Sequence, residues 1–146
     1  MREPKFKLLH GEDDAADVVI MQRILKDMQF QGTYQCFSIG QDVVDWILKR
    51  GRFAEASHGV PDLVILDIGL PGINGKEILH ILRTDEITKY IPIIMMSGSV
   101  SERDYQECVA LGCNGYVQKN ESLKFMTETC HCLIRAWMNL VRQRFV

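Results

Sequence analysis

What this sequence lacks narrows it first. No stretch approaches the roughly 20 consecutive apolar residues that a membrane-spanning helix needs. The start, Met1-Arg2-Glu3-Pro4-Lys5, has no apolar run of the kind that directs secretion. An excess of one charge is also missing: 17 basic against 19 acidic residues give a formal net charge of −2. That balance supplies neither a groove for nucleic acid nor a field for a polyanion, so neither DNA nor a membrane is expected as a partner. Five cysteines are an odd count without framework spacing. With no secretory signal, they point to reduced thiols in the cytoplasm, at least one of them in the core. Cys130-His131-Cys132 is not read as a metal clip, because it falls in a helical pattern where neighbours one and two apart diverge. Repeats, low-complexity tracts and linkers are absent. One domain over residues 1–146 is expected, with 47% of its residues hydrophobic and able to form a single core.

What is present is an alternation. Lys5 to His10 reads as a strand and runs into the acidic Gly11-Glu12-Asp13-Asp14. From Asp17 onward, Val18, Met21, Ile24, Leu25 and Met28 recur at helical spacing. Thr33 to Phe37 reads as a second strand, and Val43, Val44, Ile47 and Leu48 as the inner face of a helix over Gly40 to Arg50. Gly51 to Pro61 is a polar connection without a firm pattern. Leu63 to Asp67 has the composition of a strand buried on both faces. Pro71, Gly72 and Gly75 then turn the chain into a helix carrying Ile78, Leu79, Ile81 and Leu82. Pro92 to Met96 is a fourth strand, running into Ser97-Gly98-Ser99. Ser101 is a helix N-cap with Asp104 at the capping-box position. Gly115 to Gln118 is a short fifth strand ending at Lys119, and Ser122 opens a long last helix. Five strand–helix units in strict alternation predict an α/β fold, a doubly wound parallel sheet. Right-handed crossovers favour the flavodoxin-like order 2-1-3-4-5, with a site outside the carboxyl ends of strands 1 and 3.

Five polar residues fall at that edge: Glu12 and Asp13 after strand 1, Asp67 ending strand 3, Ser97 after strand 4 and Lys119 after strand 5. Alone, Asp67 could be a solvated turn aspartate; its company points elsewhere. Three carboxylates face one ammonium, and two like charges ~4 Å apart repel by about 4 kcal/mol at an effective dielectric of ~20. A cation is therefore expected, and hard oxygen ligands without histidine or thiol select Mg²⁺ or Mn²⁺. Mg²⁺ takes one or two carboxylates, waters and phosphate oxygens, so the natural substrate is a phosphoryl group. Asp67 is the candidate acceptor, forming an aspartyl phosphate. Asp13 would hold the metal directly and Glu12 through water. Lys119 would neutralise phosphoryl oxygens, and Ser97 would donate a hydrogen bond to one.

Glu12-Asp13, Asp67-x-x-x-Pro71-Gly72-x-x-Gly75, Ser97 and Gly115-Tyr116-Val117-x-Lys119 resemble the response-regulator receiver domain of two-component signalling, over about Lys5 to Ile134. Gly51-Arg52-Phe53-Ala54, Pro61-Asp62-Leu63 and Ile91-Pro92 are similar to the stand-alone receivers that accompany phytochrome-type histidine kinases. The resemblance implies a phosphoacceptor signalling protein with no enzymatic activity beyond self-dephosphorylation. A histidine kinase or phosphotransfer protein would donate to Asp67, with Mg²⁺ held by Glu12, Asp13, Asp67 and the backbone carbonyl of Gly69. It also implies a switch in which Ser97 and Tyr116 couple phosphorylation to partner binding.

The sequence departs from that pattern in three places. Gly69 stands where asparagine is frequent. Asn120 follows Lys119 where proline is usual, which leaves open whether the bond before it is cis. His10-Gly11 replaces two aliphatic residues. His10 is expected as a hydrogen-bonded core histidine and Gly11 as a source of backbone freedom. Two other functions compete with this reading. A receiver that binds partners without phosphorylation would share the fold. An aspartyl-phosphate phosphatase usually places a second aspartate two residues after its nucleophile, where Gly69 stands here. No Gly/Ser/Thr-rich phosphate loop follows strand 1, which disfavours a flavin site.

No separate output domain is expected. In the last helix, Leu123, Met126, Cys130, Leu133, Trp137 and Leu140 are expected to cover the sheet. Residues 135–146 would extend the helix beyond a core of about 5–134. A second stripe, Ile134, Met138, Val141 and Phe145, is expected to form a homodimer surface.

Overall fold

The apolar strands and amphipathic helices assemble around one parallel sheet in the computed structural model, which describes residues 5–119 and 122–143. The elements in chain order are β1 (Lys7–Gly11), α1 (Ala15–Asp27), β2 (Thr33–Phe37), α2 (Gly40–Leu48), β3 (Leu63–Asp67), α3 (Gly75–Thr84), β4 (Ile93–Ser97), α4 (Glu102–Leu111), β5 (Gly115–Gln118) and α5 (Leu123–Gln143). The strand order is β2-β1-β3-β4-β5, all pairs parallel, as the alternation predicts.

Side chains alternate along each strand, and this sorts the core into two layers. Leu9, Val64, Leu66, Ile93 and Met95 pack with Val43, Val44, Ile47, Ile78, Leu79, Leu82 and Cys108, so α2, α3 and α4 cover one face. Leu8, Leu63, Ile65, Ile94, Met96 and Val117 pack with Met21, Ile24, Leu25, Met28, Met126, Cys130 and Ile134, so α1 and α5 cover the other. β3 is buried along its whole length, the reason for its unbroken aliphatic run.

Local chemistry sets the helix starts. The Asp14 carboxylate accepts from the N–H groups of Ala16 (2.8 Å) and Asp17 (3.3 Å) and so starts α1 two residues before Asp17, where the sequence pattern put its beginning. Asn74 caps α3 through the Glu77 N–H, and Ser101 caps α4 through the Asp104 N–H. The Asp104 carboxylate accepts not from Ser101 but from Lys76 on α3, at 2.6 Å. The Gly51–Pro61 connection carries a short 3₁₀ turn, Gly51–Phe53. It is held by contacts from outside the segment: Phe53 lies 5.5 Å from Phe37, and His58 stacks on Trp46 at 3.8 Å and bonds to its carbonyl.

Two expectations need correction. Gly11 is not a point of freedom: a Cβ there would stand 2.9 Å from Leu70 and 3.0 Å from Leu66, so the missing side chain makes room for packing. The dimer stripe on α5 is also overturned. Ile134 is fully buried and Val141 is 8% exposed, while Leu123 and Leu140, expected to cover the sheet, are 60% and 50% exposed. Met138 is half-buried against the core, and Phe145 lies outside the described residues. The expected stripe advances by 3 and 4 residues alternately, a heptad-like period that drifts off a straight helix by ~20° every seven residues. The buried line, Met126, Cys130, Ile134, Trp137 and Val141, follows the straight helix instead.

Truncation separates the two stripes. Ile134→Ala should cost about 3 kcal/mol in urea denaturation, as expected for a buried aliphatic cavity, whereas Leu140→Ala should stay within about 0.5 kcal/mol. Equal losses would return α5 to the sequence-derived phase.

Candidate functional site

Parallel strands deliver their last residues to one edge, and strand alternation decides which side each takes. Glu12, Asp67 and Lys119 continue the set Leu8, Ile65 and Val117 that faces α1 and α5, whereas Ser97 and Tyr116 continue the set facing α2, α3 and α4. Glu12 is held where β1 ends by its N–H to the Phe37 carbonyl. The Asp67 turn is tied by the Ile68 N–H to Met96 and the Gly75 N–H to Ile68. A Cβ on Gly75 would sit 2.4 Å from the Asp67 carbonyl, so only glycine lets α3 begin this close to the strand end. Lys119 is fixed by its N–H to the Ser97 carbonyl at 2.7 Å.

Glu12, Asp13, Asp67, Ser97 and Lys119 line one cleft of about 660 Å³, together with Asp14, Asp17, Ile68, Gly69, Gly98 and Ser99. Asp67 is 9% exposed and Glu12 is 1% exposed. The Lys119 ammonium donates to Glu12 Oε1, lies 3.0 Å from Asp17 Oδ2 and 3.3 Å from Asp67 Oδ1. Burial opposes the Lys119 charge, but Glu12 and Asp17 outweigh it and hold the ammonium above its usual range. Burial pushes the Glu12 carboxyl up, and Lys119 only partly offsets the shift.

Carboxylate oxygens of Glu12, Asp13 and Asp67 lie within 4.8 Å of one another, the sole group of three or more metal-ligating side chains among the described residues. Three hard oxygens around a partly exposed point fit a small divalent cation and not a thiol-seeking one. Gly69 lines the same cleft, and a Cβ on it would stand 3.6 Å from Asp67 Oδ2 in ordinary contact. In contrast, Cys130 is buried and Cys132 exposed, and all five cysteines are free.

Ser97 is 3% exposed, and its hydroxyl is engaged with Ser99: Ser97 Oγ lies 3.2 Å from the Ser99 N–H that donates to it and 3.2 Å from the Ser99 carbonyl. Ser99 Oγ reaches Asp104 at 3.4 Å. Tyr116 turns inward, with its ring edge-on to Tyr105 at 5.4 Å and its hydroxyl enclosed without a hydrogen bond. Burial raises the Tyr116 hydroxyl above its usual range. Asn120 lies outside the described residues, and among those described no peptide bond is cis.

The sequence reading missed Asp17. It sits one turn before Met21, on the stripe that α1 buries with Ile24, Leu25 and Met28. A carboxylate at a core-facing helical position was the available signal. His10 is buried as expected but only half satisfied: Nδ1 pairs with the Tyr34 hydroxyl at 2.7 Å, and Nε2 has no partner.

The family model described as the response regulator receiver domain matches residues 9–131. The chain is 26% identical to the response regulator Rcp1 of Synechocystis over 138 residues, covering 94% of this chain and 92% of that protein. Other relatives are longer: it is 28% identical to SphR of Synechococcus elongatus and spans 51% of that regulator's length. Among solved structures, the phosphorylated cyanobacterial phytochrome response regulator RcpA superposes with a TM-score of 0.84 at 27% identity, covering 93% of this chain and 95% of that one. The Mn²⁺-bound form of Rcp1 superposes at 0.83 with 25% identity, over 92% of this chain and 94% of that one. No helix among the described residues is long and apolar enough to cross a membrane.

The pH dependence of stability tests the His10 environment. Burial, and secondarily the charge of Lys119, lower the His10 pKa from 6.5 to about 3. The unfolded chain therefore binds a proton that the fold excludes, so this contribution is present above pH ~6.5 and is lost as the pH falls below it. At pH 5 wild type should have lost about 2 kcal/mol relative to His10→Val, compared with the same pair at pH 7.5. Parallel pH profiles in denaturant would show that His10 titrates freely.

Proposed function

We propose, because this chain belongs to the response-regulator receiver-domain family, that Asp67 accepts a phosphoryl group from a phosphohistidine of a histidine kinase or phosphotransfer protein. One observation carries the reading: the Asp67 carboxylate is nearly buried at the mouth of the cleft, 3.3 Å from the Lys119 ammonium, with Glu12 and Asp13 grouped beside it. An Asp67 oxygen attacks phosphorus, the P–N bond to the donor imidazole breaks, and the imidazole leaves with the bonding pair. Lys119 neutralises charge gathering on the equatorial oxygens. Ser97, released from Ser99, donates its hydroxyl to one of them.

Glu12, Asp13, Asp67 and the Gly69 carbonyl would hold Mg²⁺ or Mn²⁺, which would supply further positive charge against the phosphoryl oxygens; the Mn²⁺-bound form of the relative Rcp1 supports a divalent cation here. Burial pushes the Glu12 carboxyl up, and a cation at the site would join Lys119 in holding it ionised. Residues 1–146 act in this reading as one cytoplasmic receiver that signals by changing partner affinity. Its only reaction after phosphorylation is hydrolysis of its own aspartyl phosphate.

Intact mass after incubation with acetyl phosphate and Mg²⁺ tests the acceptor. Wild type should gain one phosphoryl unit, and Asp67→Asn should gain none. A folded wild type that gains nothing would make the chain a binding module that works without phosphorylation.

A further inference from the structure

Lys119 has three anionic neighbours, and they are not equivalent. An ammonium has three N–H donors, and three carboxylates lie around this one: Glu12, Asp17 at 3.0 Å and Asp67 at 3.3 Å. Glu12 and Asp67 also belong to the group that can hold a divalent cation; Asp17 does not. A cation on that group draws on the same carboxylate charge that Lys119 uses. Phosphorylation of Asp67 then replaces its free carboxylate by an acyl phosphate, a mixed anhydride. Of the three anchors of Lys119, Asp17 alone keeps its full charge and position through both events.

Asp17 is built for such a role. Its backbone is fixed in the first turn of α1 by the Asp14 cap. Its side chain is 26% exposed, and that of Lys119 is 12% exposed, so the pair is shielded from water on most sides. A lysine side chain otherwise loses its ammonium position through several rotatable bonds. A carboxylate on the buried stripe of a helix is costly unless it has a partner, and Lys119 is that partner.

We propose that Asp17 is the positioning residue for Lys119: it holds the ammonium at the Asp67 mouth when the cation and the phosphoryl group have claimed the other two carboxylates. The inference rests on the phosphoacceptor reading for its kinetic consequence, though not for the contact itself. Asp17 stands outside the carboxylate group that can hold the cation and would act only through Lys119.

Two measurements test it. The first is the initial rate of phosphorylation by acetyl phosphate with saturating Mg²⁺, followed by intact mass, in wild type, Asp17→Asn, Lys119→Met and the double variant. Asp17→Asn should be slowed about tenfold, the scale of one charge-assisted hydrogen bond. The double variant should be no slower than Lys119→Met alone, because an effect routed through Lys119 vanishes when Lys119 is gone. A structural role would instead multiply the two losses. The second is the proton–nitrogen NMR signal of the lysine ammonium groups, without phosphodonor. Lys119, identified by its loss in Lys119→Met, should give a signal protected from water exchange in wild type, with and without Mg²⁺. In Asp17→Asn that signal should broaden away once Mg²⁺ is added.

An unslowed Asp17→Asn, losses that multiply, or a Lys119 signal indifferent to Asp17 with Mg²⁺ present would each overturn the proposal. If wild type takes up no phosphoryl group at all, the acceptor reading fails, and the ammonium signal alone decides for or against Asp17.

Discussion

The structure of the site depends on one ion pair, Lys119 with Glu12. Glu12 is 1% exposed, and an ionised carboxylate at that depth is tolerable only beside an opposite charge. Removing one partner of such a pair typically costs about 3–5 kcal/mol, because the remaining charge is left buried and alone. The pair also spans the sheet. β1 and β5 are separated by β3 and β4, so Lys119 reaches over two strand ends to find Glu12. Asp67, at the end of the strand next to β1, lies along that path. Asp67 is thus flanked by charge because of where the buried pair must run, and its own 3.3 Å contact with the Lys119 ammonium follows from that path.

Most of this was legible in the sequence, because it follows from periods that physics fixes. Unbroken aliphatic strands alternating with helices gave the sheet order, and parallel order alone brings Glu12, Asp13, Asp67, Ser97 and Lys119 to one edge. The further division, with Glu12, Asp67 and Lys119 on one side and Ser97 and Tyr116 on the other, is also contained in the sequence, since side chains alternate from Leu8 to Glu12 and from Val117 to Lys119. What escaped were features set by tertiary context. Asp17 is marked by no strand end, because its carboxylate reaches the site from a helix. The phase of α5 was misjudged because a heptad period and a straight helix agree over two turns and part over five. The segment from Gly51 to Pro61 has no period at all; its order comes from Phe37 and Trp46, outside it. His10 pairs through Nδ1 alone, and a sequence does not mark which of the two ring nitrogens finds a partner.

Coupling the site to a partner surface would have to begin at Ser97. Its hydroxyl is engaged with Ser99, Ser99 with Asp104, and Asp104 with Lys76 on α3. Lys76 also binds Glu107, so α3 and α4 are clamped at two points. On the proposed reading, turning Ser97 towards a phosphoryl oxygen gives up its bonds to Ser99 and loosens the loop between β4 and α4. The unpaired Tyr116 hydroxyl lies on the same side of the sheet, and a buried hydroxyl without a partner favours any rearrangement that supplies one.

Magnitudes limit what that chain of contacts can do. A neutral hydrogen bond contributes about 1 kcal/mol net, and the Ser97–Ser99–Asp104 series contains only a few, two of them at 3.2 and 3.4 Å. Moving a two-state equilibrium from 1:99 to 99:1 takes about 5.5 kcal/mol. Rearranging these bonds therefore supplies a bias and not a complete switch. On the proposed reading the remainder would come from binding itself, for which Val100, Tyr105 and Val109, which are 74%, 45% and 52% exposed beside this loop and along α4, offer apolar area. On the proposed reading, phosphorylation would set the conformation that a partner finds, and the partner's contact would complete the shift.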